Sequence, residues 1–171
     1  MDRVVLVDEK DVEMGTMEKL EAHKKGMLHR AFSILIFNSK GELLLQKRAS
    51  EKYHSGGLWT NTCCSHPFQN EKPIDAANRK LEQEMGLRAD LHFSHKFIYK
   101  AELDNHLIEH EMDYVFIGNS DATPMINPEE VEEWKYMPVE EIKSDLKKNP
   151  HRYTTWFKII MDQPELEFAP Q

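Results

Sequence analysis

The sequence predicts an α+β protein in which one mixed β-sheet packs between helices, as a single compact domain over residues 1–171. Segments with strand patterns are followed by isolated amphipathic helices, which is typical of this class. No repeat, low-complexity block or linker divides the chain. A length of 171 residues is that of one ordinary domain and suffices to bury a core.

The first predicted elements are strands. Residues 3–7 have the pattern of a short strand. Residues 31–49 predict a hairpin, because apolar runs flank the turn residues at 38–41. Residues 51–59 predict a loop, since they contain two adjacent glycines. This order places a hairpin and a loop ahead of the first long helix.

That helix is predicted at 72–87. Pro73 can open it and Gly86 can end it. Lys80 and Glu84 form an i,i+4 pair that we expect on the face opposite the core. The apolar stripe consists of Ile74, Ala77, Leu81 and Met85.

The remaining elements are strands followed by helices. An acidic, proline-containing stretch precedes the last strand, and Pro150 halts the helix after it. In chain order we expect strands at 91–101, 107–117 and 133–137, helices at 139–150 and 154–162, and a loose tail at 163–171.

Composition narrows the classes of function. The net charge of −8 argues against broad nucleic-acid binding, which needs a basic face. The sequence contains no run of 18 apolar residues, so it predicts no transmembrane helix. The acidic start of the chain lacks the apolar core of a signal peptide, so we expect a cytoplasmic protein. The only two cysteines are adjacent and cannot supply a disulfide framework.

The segment IEHEMDYVF at 108–116 carries three acidic residues at alternate positions. On a strand, Glu109, Glu111 and Asp113 point to one side and His110 to the other. The Cα atoms of alternate residues on a strand are about 6.5–7 Å apart, so their carboxylates can converge on one cation. The alternative is an ordinary solvated strand face.

Two histidines precede the predicted hairpin. His23 and His29 bracket a short turn, and their spacing allows a loop to supply two ligands to a metal. Such a pair is also often incidental.

The segment WTNTCCSHP at 59–67 separates its two cysteines if it is extended. Cys64 and His66 then share one face and Cys63 occupies the other. Cys63 suits a small core position. Cys64, beside a potential metal ligand, suits acid–base or nucleophilic chemistry.

The predicted helix and the residues before it resemble the Nudix box, a strand–loop–helix module that presents carboxylates to a divalent cation bound to a diphosphate. Glu71, Arg79 and the run at 84–87 match the box. The alternative is a surface helix with ion pairs. Three positions differ from the box: Ser65 replaces its first glycine, and Lys80 and Gln83 replace glutamates.

Taken together, these segments resemble the metal-dependent, flavin-free type I isopentenyl-diphosphate isomerases, which have a Nudix-like fold. The resemblance extends from residues 15–23 to residues 154–159 and is carried by KLEAH, LHRAFS, WTNTCCSHP, LEQEMG and IEHEMDYVF. It implies conversion of isopentenyl diphosphate into dimethylallyl diphosphate, within isoprenoid biosynthesis. Protonation and deprotonation would proceed through a tertiary carbocation.

The resemblance also implies the site. One zinc or manganese ion would be bound by His23, His29, His66, Glu109 and Glu111. A magnesium ion bridging to the diphosphate would be bound by Glu84. The diphosphate would be received by Lys19, Arg48, Lys52 and Lys80. The catalytic residues would be Cys64, Glu111, Tyr99 and Trp156.

The implied partner is therefore a small diphosphate, with no flavin, nucleic acid or membrane, and we expect a monomer. Which of Cys64 and Glu111 protonates the substrate stays open. Two other functions remain: a Nudix-type hydrolase, disfavoured by Lys80 and Gln83, and a non-catalytic diphosphate-binding module, disfavoured by the intact catalytic group.

Overall fold

The structure is a computed structural model and describes residues 2–52 and 54–166. Within these residues, nine strands form one sheet, accompanied by four α-helices. The strands are β1 Arg3–Val7, β2 Glu13–Glu18, β3 His29–Phe37, β4 Glu42–Arg48, β5 Trp59–Thr60, β6 Cys63–Ser65, β7 His92–Glu102, β8 Ile108–Asn119 and β9 Val131–Pro138. The helices are α1 Lys19–Lys25, α2 Pro73–Met85, α3 Val139–Lys148 and α4 Thr155–Met161.

Strand β3 organises the sheet. It pairs in parallel with β8 over its whole length, from His29 opposite Glu111 to Phe37 opposite Asn119. On its other edge it pairs antiparallel with β6, and β7 continues the sheet beyond β8. Both parallel and antiparallel pairs occur, so the predicted mixed sheet is confirmed.

The predicted hairpin joins β3 and β4, but the two strands separate soon after the turn. They are paired through Phe37 and Leu43. Beyond that point β4 pairs with β9 and β5 instead. The separation leaves room between the two strands for β6, which carries the cysteines.

The core lies on both faces of the sheet, because the side chains of β3 alternate. Ile34 and Ile36 pack with Leu81 and the rest of the α2 stripe. Leu35 packs with Phe157 and neighbouring residues of α4. The prediction of a sheet between helices is thus confirmed, with α2 on one face and α4 on the other.

Three parts of the chain differ from the sequence prediction. Strand β2 and helix α1 were missed; α1 has only seven residues, too few to display a helical period. The tail predicted to be loose, 163–171, contains a packed residue, since Leu166 is buried in the α4 core cluster. Residues 167–171 of that tail lie outside the described residues. No α-helix in the described part of the chain is long and apolar enough to span a bilayer.

Asp11 ties the turn between β1 and β2 to the sheet. Its carboxylate accepts hydrogen bonds from Arg30 Nε at 3.0 Å, from Lys96 Nζ at 3.0 Å and from the Tyr114 hydroxyl. Burial alone would raise the pKa of Asp11, but these donors outweigh it and hold the pKa below its usual value. The network therefore stabilises the folded state only while Asp11 is ionised.

We expect Asp11→Asn to lower the free energy of unfolding by about 1–3 kcal/mol at pH 7, because it removes the charge that three donors share. The folded pKa lies below the unfolded value of about 3.9, so the difference from wild type persists above pH 4 and shrinks as the pH falls further. Urea titrations at several pH values measure it. The exposed neighbour Glu9→Gln is the control, and an equal loss in that variant would contradict the role of Asp11.

Candidate metal centre and active site

Strand β8 presents its carboxylates to the interior. Glu109, Glu111 and Asp113 are all buried, on the side opposite His110, as strand alternation predicted. The register across three strands then places His29 of β3 and Tyr99 of β7 directly opposite Glu111. The pairing of β8 with its two neighbours therefore assembles the centre of the site.

Histidines from three segments meet these carboxylates. His23 Nε2 lies 3.7 Å from Glu109 Oε2. His29 Nε2 and His66 Nε2 lie 3.3 Å and 3.0 Å from Glu111 Oε2. The ring centroids of the three histidines are 5.0–6.0 Å apart. All five residues expected to bind one metal are thus brought together, although His23 is on helix α1 rather than on the expected loop.

The chemistry of these donors fits a divalent transition metal. His23 Nδ1 contacts the Lys19 carbonyl oxygen at 2.7 Å, and His29 Nδ1 contacts that of Met27 at 2.8 Å. A proton on Nδ1 leaves the lone pair of Nε2 available to bind a metal, which is the usual arrangement of a metal-binding histidine. The buried Nε2 of His29 makes no hydrogen bond within the described part of the chain. Four donor atoms, from His23, His29, His66 and Glu111, lie within 4.8 Å of one another.

Tyr99 connects the two carboxylates. Its hydroxyl donates to Glu111 Oε1 at 2.7 Å and also contacts Glu109 Oε1. Burial and the neighbouring carboxylates raise the pKa of Tyr99, which therefore stays protonated at neutral pH. Burial and the Glu111 charge likewise raise the pKa of Glu109. Burial opposes ionisation of Glu111 too, but the imidazoles of His29 and His66 beside its Oε2 keep its pKa well below the usual value.

The two cysteines point to opposite faces of β6, as predicted. Cys63 is fully buried in the cluster beneath α2. Cys64 lines a cavity together with Glu111 and Trp156. Burial raises the pKa of the Cys64 thiol well above its ordinary value, so the group is protonated at neutral pH. It is therefore a potential proton donor rather than a ready nucleophile.

The cavity adjoins a larger, basic pocket. Lys19, Ser65 and His66 line both, so the two spaces lie side by side at these side chains. Besides Lys19, three cationic residues line the basic pocket: Arg3, Arg79 and Lys80. Cationic residues line both spaces, so an anionic ligand matches them.

The other predicted basic residues lie around the cavity. Arg48 and Lys52 line it, with the Arg48 guanidinium 5.1 Å from the Trp156 ring centre. Lys52 is paired with Glu130. Arg48 Nε and Trp156 Nε1 are buried and have no hydrogen-bond partner among the described residues. Buried donors of this kind need an acceptor, which a bound ligand or an ordered water would supply.

Glu84 is not on the exposed face where the sequence placed it. It is only 6% exposed, and Lys80 Nζ lies 3.1 Å from its Oε2. The expected ion pair is therefore present, but it packs against the sheet because α2 contacts β6. Glu84 belongs to neither of the histidine–carboxylate groups found in the described residues.

His54, in the loop between β4 and β5, was missed by the sequence analysis. It is 5% exposed, lines the cavity and lies with its ring centroid 5.5 Å from that of His23. The segment has no strand or helix period from which a direction could be predicted. The available signal was its position beside Arg48 and Lys52, two residues already expected at the site.

Comparison with known proteins agrees with this architecture. The profile of the NUDIX domain family matches residues 27–157, so the fold and site define a NUDIX-domain protein. Isopentenyl-diphosphate Delta-isomerase 1 of Aromatoleum aromaticum is 50% identical over 95% of this chain and 92% of its own length. The isopentenyl-diphosphate Delta-isomerase of Pectobacterium atrosepticum is 52% identical over 93% and 89%. The chain belongs to the isopentenyl-diphosphate Delta-isomerase family.

Solved structures support the fold alone, because their sequences are distant. The crystal structure of a Deinococcus radiodurans protein has a TM-score of 0.77 at 16% identity and covers 93% of this chain and 97% of its own. A MutT NUDIX hydrolase from Burkholderia pseudomallei has a TM-score of 0.63 at 17% identity and covers 80% and 98%. The predicted Nudix-like fold is thereby confirmed.

Proposed function

We propose that the protein isomerises isopentenyl diphosphate to dimethylallyl diphosphate, in isoprenoid biosynthesis. The observation that carries the proposal is the placement of two acid–base groups around one cavity. Cys64 is on β6 and Glu111 on β8, and these strands flank β3 on opposite sides. Family membership supports the same reaction.

The reaction needs a proton delivered to one carbon and another removed two carbons away. Cys64 on one side and Glu111 with Tyr99 on the other meet this requirement. Tyr99 holds Glu111 in place by donating to its Oε1. Because both groups line one cavity and come from different strands, a substrate bound there can contact both of them.

The transient species is a tertiary carbocation, which needs charge stabilisation without a nucleophile. The Trp156 ring lines the cavity and is 3% exposed. An aromatic face attracts a cation and forms no bond to it. Burial of the ring also limits the access of water that would trap the cation as an alcohol.

Metal ions are part of the proposal. His23, His29, His66, Glu109 and Glu111 would hold one zinc or manganese ion, for which this donor set is suited. When bound, the ion supplies positive charge that orders and polarises the carboxylates. Glu84, whose carboxylate lies beside Lys80 in the structure, would hold a magnesium ion that supplies positive charge to the diphosphate.

The diphosphate is assigned to the basic residues between and around the two spaces. The group comprises Lys19, Arg48, Lys52 and Lys80. Their charges act locally although the net charge of the chain is −8. The hydrocarbon would then extend towards Cys64 and Trp156.

Proton NMR in D₂O tests the reaction directly. Purified protein with isopentenyl diphosphate and divalent metal should form the allylic isomer, with deuterium incorporated and no phosphate released. Release of phosphate would instead indicate a hydrolase. Bound substrate with no turnover in the metal-loaded protein would indicate a binding module.

We expect Lys19→Met to raise KM for isopentenyl diphosphate by about 10- to 100-fold, because one charge-assisted contact is lost. Metal content should be unchanged, since His23 uses the backbone carbonyl of Lys19 and not its side chain. Lys25→Met, in the same helix and paired with exposed Glu21, is the matched control. Steady-state kinetics on both variants measure the effect. Equal KM values for the two variants would show that the Lys19 side chain does not bind the substrate.

We also propose a cytoplasmic monomer that does not bind nucleic acid. A free Cys64 thiol is maintained in a reducing compartment. All of the proposed site residues come from one chain, so no second subunit is needed. The acidic net charge disfavours phosphate backbones as partners.

A further inference from the structure

We infer that His54 is an additional imidazole ligand of the metal centre. The donor atoms of His54, His23 and Glu109 lie within 4.8 Å of one another, and all three residues are buried. This group shares His23 with the group formed by His29, His66 and Glu111. The inference rests on the metal centre proposed above, but not on the isomerase reaction.

The distances allow His54 to reach the same ion as Glu109. Two donor atoms that each lie about 2.1 Å from one ion are at most about 4.2 Å apart. His54 Nε2 is 4.0 Å from Glu109 Oε2, and His23 Nε2 is 3.7 Å from the same oxygen. Both distances are within this limit, so His54 and His23 can each share an ion with Glu109.

The surroundings of His54 hold its Nε2 towards that side. Its Nδ1 lies 3.2 Å from the Ser55 hydroxyl. The Ser55 amide donates to Asp104 Oδ1 at 3.1 Å, and Arg48 Nη2 donates to the His54 carbonyl at 3.2 Å. The peptide group between His54 and Ser55 is thus held through both its carbonyl and its amide. Contacts that fix one ring nitrogen and present the other are typical of metal-binding histidines.

A purely structural role is the competing explanation. The His54 ring meets Trp156 edge to face, with centroids 5.7 Å apart, and could simply fill space. Packing against Trp156 does not require a nitrogen aimed at a buried carboxylate, however. The two roles differ in what they predict for metal affinity, which packing alone would leave unchanged.

A further imidazole changes which metals the site prefers. Imidazole nitrogen suits zinc, cobalt, nickel and copper, whereas magnesium prefers oxygen. His54 should therefore increase the preference of the centre for zinc over magnesium.

The test is zinc affinity, measured by competition with a chromophoric chelator, in wild type, His54→Gln and the exposed control His151→Gln. We expect His54→Gln to weaken zinc binding by about 10- to 100-fold and to alter the visible spectrum of the cobalt-loaded protein. The control should match wild type. Unchanged affinity and spectrum in His54→Gln would overturn the inference, while absence of zinc binding in wild type would refute the metal centre itself.

If His54→Gln fails to fold by circular dichroism, the wild-type protein still decides the question. Proton NMR of cobalt-loaded wild type shows one shifted exchangeable signal for each bound imidazole that keeps a proton on its other nitrogen. Four such signals would support His54 as a ligand. Three would overturn the inference, because His23, His29 and His66 account for them.

Discussion

Substituting Cys64 with alanine is expected to lower kcat by about 10²–10⁴-fold, the usual contribution of one general acid–base group. The thiol lines the cavity from β6, and Glu111 lines it from β8. It is absent from the histidine–carboxylate groups, so zinc content should be preserved. The D₂O assay with metal analysis of the same sample measures both quantities.

The neighbouring cysteine provides the control. Cys63 faces the core beneath α2, and Cys63→Ala should cost about 1 kcal/mol of stability while retaining turnover. If Cys64→Ala keeps near-normal turnover, Cys64 is not an acid–base group and the proposed mechanism is wrong. If both variants lose activity equally, the effect arises from the strand and not from the thiol.

Replacing Glu111 with glutamine should lower both turnover and zinc affinity, because two functions are lost together. Its carboxylate faces His29, His66 and Tyr99 at 2.7–3.3 Å. We expect kcat to fall by about 10³-fold or more and zinc affinity by at least about 10-fold, since an acid–base group and a charged ligand both become neutral. Chelator competition and single-turnover NMR separate the two losses.

Asp113→Asn is the matched control for this variant. Asp113 is the next inward residue of β8, is fully buried, and accepts a hydrogen bond from Ser33 Oγ at 2.8 Å. Burial and the Glu111 charge raise the pKa of Asp113 well above the usual value. Its carboxyl group is therefore neutral, and the neutral amide of asparagine resembles it. Zinc affinity should stay at the wild-type level. Retention of zinc affinity and turnover by Glu111→Gln would exclude Glu111 from both roles.

Features that depend on a local period could be predicted from the sequence. Alternation along a strand correctly separated Cys63 from Cys64 and placed Glu109 and Glu111 on one face. The end signals Pro73 and Gly86 correctly bounded α2. The full set of site residues, by contrast, was predicted from a family resemblance and not from the periodicity of strands or helices.

Features that depend on distant parts of the chain could not be predicted from those periods. The burial of Glu84 depends on the contact between α2 and β6. The direction of His54 depends on Asp104, which holds its loop from a different part of the chain. Helix α1 is stabilised by tertiary contact with β8 more than by its own seven residues.

The parallel pairing of β3 with β8 has a consequence for how the protein folds. Parallel strands cannot be joined by a tight turn, so this pairing closes a long stretch of chain and forms slowly. The proposed ligands His29 and Glu111 stand opposite each other only once it has formed. A metal ion that binds only this assembled state would raise the melting temperature of the domain as its concentration rises. The bound ion would then stabilise the folded state of the domain and not only the geometry of the site.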